Sequence, residues 1–80
     1  MSNMRAKFQI SSIQQFEHTE RVNFHAVCSK GYPPDGSDED NTYAKFSPQA
    51  ECFIVIANPA LIGTFKVGQK FYVDFTEAPL

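Results

Sequence analysis

In 80 residues the chain has no tryptophan, only two cysteines, two methionines and four glycines. Two cysteines make no disulfide framework, so Cys28 and Cys52 read as small buried hydrophobes within predicted strands. No apolar run approaches the roughly 20 residues of a membrane-spanning helix, and no membrane partner is expected. No apolar segment follows the N-terminus, so no signal peptide is expected. The only histidines, His18 and His25, fall in a predicted turn and on a predicted strand. Cys28 follows His25 by three residues, which in a strand places the two on opposite faces. Structural zinc needs four convergent ligands, so no metal site is expected. No serine sits in a G-x-S-x-G elbow, and no glycine-rich loop is present to cradle phosphate. Without a nucleophile, base and orienter in recognisable spacing, neither catalysis nor a cofactor is expected.

The net charge is −2, which gives no bulk attraction to nucleic acid. Four of the nine acids, Asp35, Asp38, Glu39 and Asp40, share one stretch; without them five acids face seven bases. Their spacing departs from a calcium-binding EF-hand loop, which needs alternating acids, a central glycine and a terminal glutamate. They read as a solvated loop on a weakly basic body.

What the sequence does hold is aromatic bulk: eight phenylalanines and three tyrosines. A chain this short forms one domain, residues 1–80, and buries only about 60–65% of its unfolded surface. Large aromatic side chains compensate by bringing more apolar area per residue. Five segments read as strands. Arg5–Gln15 alternates with Ala6, Phe8 and Ile10 inward and Arg5, Lys7 and Gln9 outward. Ile13 has the wrong parity, which a bulge at Ser11-Ser12 would restore. Arg21–Ser29 carries Val22, Phe24, Ala26 and Cys28 on one side and would form a hairpin with the first strand. Tyr43–Phe46 reads as a short third strand. Glu51–Ala57 is apolar on both faces, which predicts a strand covered from both sides. Lys70–Phe75 alternates clearly, with Phe71, Val73 and Phe75 on one face.

The stretch Ala50–Phe75 therefore looks like the centre that the other segments cover. Between its two strands, Asn58 caps and Pro59 opens one short helical turn at about 59–65, with Gly63 disfavouring a longer helix. The fold class that follows is mainly β: a small five-stranded antiparallel, partly open barrel or curled sheet. Unpaired strand edges in such a sheet invite pairing with another chain, either a larger protein or a homo-oligomer. Residues 30–42, rich in Pro and Asp, form the longest irregular stretch, a loop that is either mobile or partner-binding. Within it Tyr32, Pro33, Pro34 and Asp35 are the candidate partner-binding residues, because rigid and aromatic groups lose little entropy on docking. The alternative is a barrel that binds single-stranded nucleic acid, with Arg5, Lys7, Arg21 and Lys45 along a groove and Tyr43 as a stacking platform. The acidic loop disfavours it.

Three segments carry a resemblance: Tyr43-Ala-Lys-Phe-Ser-Pro48, Ile56-Ala-Asn-Pro-Ala60 and Phe65-Lys-Val-Gly-Gln-Lys-Phe-Tyr-Val-Asp-Phe-Thr76. With the opening strand Arg5-Ala-Lys-Phe8, they resemble a group of small tailed-bacteriophage proteins. Here Ser47-Pro48-Gln49 replaces the more usual Thr-Pro-Ser-Gly turn of that group. The resemblance implies a phage protein without enzymatic activity, made in the host cytoplasm. Its expected role is a virion-associated cement or accessory protein bound to a capsid or similar phage protein. The alternative is an inhibitor of a host or defence protein.

Overall fold

A bulge shapes the longest strand. In the computed structural model, which describes residues 4–28, 31 and 33–79, β1 spans Met4–Gln15 and pairs antiparallel with β2, Glu20–Ala26. The register shifts between Ile10 and Ser12: Ile10 opposes Phe24, Ser12 opposes Asn23, and Ser11 is the additional residue. The expected bulge is therefore present, and Ile13 returns to the inner face opposite Val22. A tight connection closes the hairpin, with the Phe16 N–H donating to the Thr19 carbonyl at 2.8 Å.

Two more strands flank this hairpin. β3 (Glu51–Ile56) pairs with β2 and β4 (Lys70–Phe75) pairs with β1, giving one antiparallel sheet of order β3-β2-β1-β4. The sheet is a curled half-barrel, as the mainly-β reading expects, but with four strands rather than five among the described residues. Tyr43–Phe46 is not a strand. Ala44 N–H folds back onto the Asn41 carbonyl at 3.0 Å, and Phe46 has φ +54, so the segment cannot stay extended. Among the described residues a single bridge, Ser37 to Lys45, remains there.

The expected helical turn at 59–65 is also absent; the segment is a succession of turns. With no helix to cap, Asn58 closes an Asx turn instead, its Oδ1 accepting from the Ala60 N–H at 3.0 Å. The backbone then diverges, because Gly63 adopts φ +85 and its N–H donates to Glu20 Oε2 at 3.1 Å. That bond ties the turn to the end of β2, where the Glu20 side chain is 1% exposed.

The centre of the molecule is not Ala50–Phe75. The buried core is Ala6, Phe8 and Ile10 of β1, Val22 and Phe24 of β2, and Ile56. The two strands of the 50–75 stretch form the two edges of the sheet. The two long connections cover the inner face: Tyr43 and Ala50 come from one, Ile62 and Phe65 from the other. A chain of edge-to-face aromatic contacts crosses it, Phe65–Phe71–Phe24–Phe8, with centroids 5.6, 6.4 and 6.2 Å apart. Cys28 and Cys52 are both free thiols and both exposed, against the expectation of burial. Cys28 lies beyond the end of β2 and Cys52 lies on an edge strand, so neither has a neighbour on every side.

Candidate interaction surface

The strand expected to be covered on both faces is largely bare. β3 reads ECFIVI; Phe53, Ile54 and Val55 are 56%, 53% and 52% exposed, and only Ile56 is buried. Register explains the split. Cys52, Ile54 and Ile56 lie opposite Phe24, Val22 and Glu20 and so face inward, while Phe53 and Val55 lie opposite Asn23 and Arg21 on the outer face. As an edge strand, β3 has a β2 neighbour on one side only.

The outer face of this edge is organised by a chain of side-chain contacts. The Arg21 guanidinium lies 3.9 Å from the Phe53 ring centroid, a cation–π contact that fixes the ring over β2. Arg21 Nε donates to Asn23 Oδ1 at 3.1 Å, and Asn23 Nδ2 donates to Ser12 Oγ at 3.1 Å. Ser11 Oγ donates to the Asn23 carbonyl at 3.2 Å, so the bulge itself supports this chain of contacts. Partial desolvation pushes the Cys52 thiol above its ordinary pKa of 9.0.

Among the described residues the backbone of β3 also has a free side. The Ala26 N–H donates to the Ala50 carbonyl, so antiparallel alternation turns the even-numbered residues of β3 towards β2. The N–H and C=O groups of Glu51, Phe53 and Val55 therefore point away from the sheet. Among the described residues β4 has an unpaired side as well, but Lys70 and Asp74 stand along it, and charge on an edge strand discourages pairing.

A second cluster lies on the outer face between β1, β4 and the acidic loop. Arg5 makes a forked ion pair to Asp74, at 2.7 and 3.3 Å, and Lys7 Nζ is 3.3 Å from Asp40. The Tyr72 hydroxyl donates to Asp40 at 2.8 Å, and the Arg5 guanidinium sits 4.7 Å from its ring centroid. The Tyr72 hydrogen bond, then Lys7, hold the Asp40 carboxyl below its usual value, and Arg5 does the same for Asp74. In return, the bond to Asp40 raises the Tyr72 phenol.

The loop that supplies Asp40 is built on Asn41, whose side chain is fully buried. Asn41 Oδ1 accepts from the Lys7 N–H at 2.8 Å, and its Nδ2 donates to the Val27 carbonyl at 2.7 Å. The Thr42 N–H donates to the Arg5 carbonyl, so the loop continues the ladder on β1 where β2 has ended.

Comparisons with protein-family models, curated proteins and solved structures find no match to this chain.

The residues singled out from sequence are scattered across the molecule. Pro33, Pro34 and Asp35 form an exposed turn closed by the Gly36 N–H to the Pro33 carbonyl at 2.9 Å. Hydrogen bonds from Ser37 hold the Asp35 carboxyl below its usual range. Tyr32 lies outside the described residues. Of the proposed cationic groove, Arg5 and Lys7 are paired with acids, Arg21 is stacked on Phe53, Lys45 is exposed at the Ser37 bridge, and Tyr43 packs against the core. Among the described residues no cluster of three or more metal-ligating side chains occurs. Sequence reasoning passed over Phe53, Ile54 and Val55 as contact residues. The available signal was size, since 80 residues cannot easily supply a layer on each face of β3.

Proposed function

We propose that this chain is a non-enzymatic protein-interaction module, and that it serves as a virion-associated accessory protein bound to a capsid or similar phage protein. The observation that carries the reading is the β3 edge, where apolar side chains on both faces and an unpaired backbone ladder coincide. Contiguous apolar exposure of this kind marks interaction sites in soluble proteins. The fastening of Arg5 and Lys7 by Asp74 and Asp40 favours a protein partner over a polyanion. The resemblance to small tailed-phage proteins supports the virion as the setting. Quantitative mass spectrometry of purified virions tests it. Copies in fixed ratio to the capsid protein are expected; complete absence from the particle overturns the virion assignment.

A further inference from the structure

We propose that the partner seated on β3 is first of all a second copy of this chain, joined edge to edge through β3 about a two-fold axis. This rests on the reading of the chain as an interaction module and names the occupant of its open edge. The surface area of the whole chain leaves room for an occupant of this size. The chain exposes 6033 Å², about 1,200 Å² more than the ~4,850 Å² that surface scaling gives a compact chain of its mass. Its radius of gyration is 14.7 Å, against ~11.6 Å for a compact domain of this length. A stable interface removes about 800 Å² from each partner, which lies within that excess.

The hydrogen-bonding pattern selects one register. A two-fold axis perpendicular to the sheet keeps the inner faces on the same side and pairs each residue with one of equal parity. Only Glu51, Phe53 and Val55 direct their backbone groups outward, so the bonded pairs must be drawn from them. Centring the axis on Phe53 places Phe53 opposite itself and Glu51 opposite Val55, twice, which uses all six outward backbone groups in a bonded ladder. Centring it one residue further along puts Ile54 at the axis and leaves Glu51 without a partner in the strand.

The side chains agree with the Phe53-centred register. On the outer face the two Phe53 rings lie side by side, each backed by its own Arg21. Glu51 of the second copy falls in the row of Val55 and Arg21, bringing an acid towards a base. On the inner face Cys52 opposes Ile54, and apolar surface continues from one copy to the next. The contact is isologous, as two-fold dimers require.

The test is sedimentation of the full chain across a concentration series, with two kinds of variant. The wild type is expected to reach a dimer, and Val55→Pro, which removes an outward N–H without touching the ladder to β2, is expected to weaken it roughly tenfold to hundredfold. In a Cys28→Ser, Cys52→Ser background, Phe53→Cys is expected to form an intermolecular disulfide on mild oxidation, because bonded pairs stand about 5.5 Å apart between Cα atoms. Val55→Cys in the same background is expected not to, being two residues from the axis in each copy. A wild type that stays monomeric throughout overturns the dimer. A dimer indifferent to Val55→Pro, or cross-linked equally well by Val55→Cys, overturns the β3 assignment. Either failure leaves the virion measurement free to succeed, so loss of the dimer and loss of the interaction role are told apart.

Discussion

Gly36 and Asn41 are two residues on which the acidic loop turns. Gly36 has φ +77, and the Phe46 ring lies so close that any side chain at this position would overlap it. Gly36→Ala must therefore strain the backbone and displace Phe46 together. A loss of about 2 kcal/mol is expected, read as a lower urea midpoint with unchanged slope. Asn41 satisfies the Lys7 N–H and the Val27 carbonyl at once, from a position with no exposure. Asn41→Ala takes this partner from two half-buried groups and should cost about 1–2 kcal/mol by the same measurement. A chain of this size holds only about 4–12 kcal/mol in all, so either change is a large fraction of it. Nothing in the sequence marks Asn41. An asparagine after three acids looks like any solvated loop residue, and its role appears only once residues 7 and 27 are seen beside it.

Among the elements, the strands with one polar face were legible and the others were not. β4 occupies the residues its alternation predicts, and Ile13 revealed the bulge because its parity conflicts with Ile10. β3 gave no such guide. A strand apolar on both faces has the same pattern whether it lies mid-sheet or at an edge, because composition alone does not say which neighbours cover it. Tyr43–Phe46 and the 59–65 turn failed for a local reason: positive φ at Phe46 and Gly63 ends each element before a ladder or helix can propagate. The contacts between β1, β4 and the loop carry a pH signature. Asp40 and Asp74 have carboxyls lowered from their usual 3.8. Their contribution is fully present above that value and is lost as pH falls through the folded values. Tyr72 runs the other way: its phenol is raised from 10.0, so its contribution holds below pH 10 and is lost as pH rises through the folded value. Tyr72→Phe is expected to make both the acid and the alkaline limb of melting temperature against pH shallower. An acid limb identical to the wild type would mean that the Asp40 bond contributes nothing in solution. The effects should be small, since exposed ion pairs and their hydrogen bonds are weak in water.

At the scale of the molecule, the principal extents of 48 × 33 × 16 Å describe a flattened body, one curled sheet covered on its inner face by two connections, with its two edges dressed differently. Phe53 and Val55 line one edge, and Lys70 and Asp74 stand along the other. That asymmetry sets where assembly stops. With a single adhesive rim, copies that meet there exhaust it, and the charged rims left outermost refuse the next arrival. Replacing Lys70 and Asp74 together by valine would make both rims adhesive, and each added copy would then offer a fresh one. Such a double variant is expected to grow without limit into filaments that scatter light and bind thioflavin, under conditions where the natural chain stays clear.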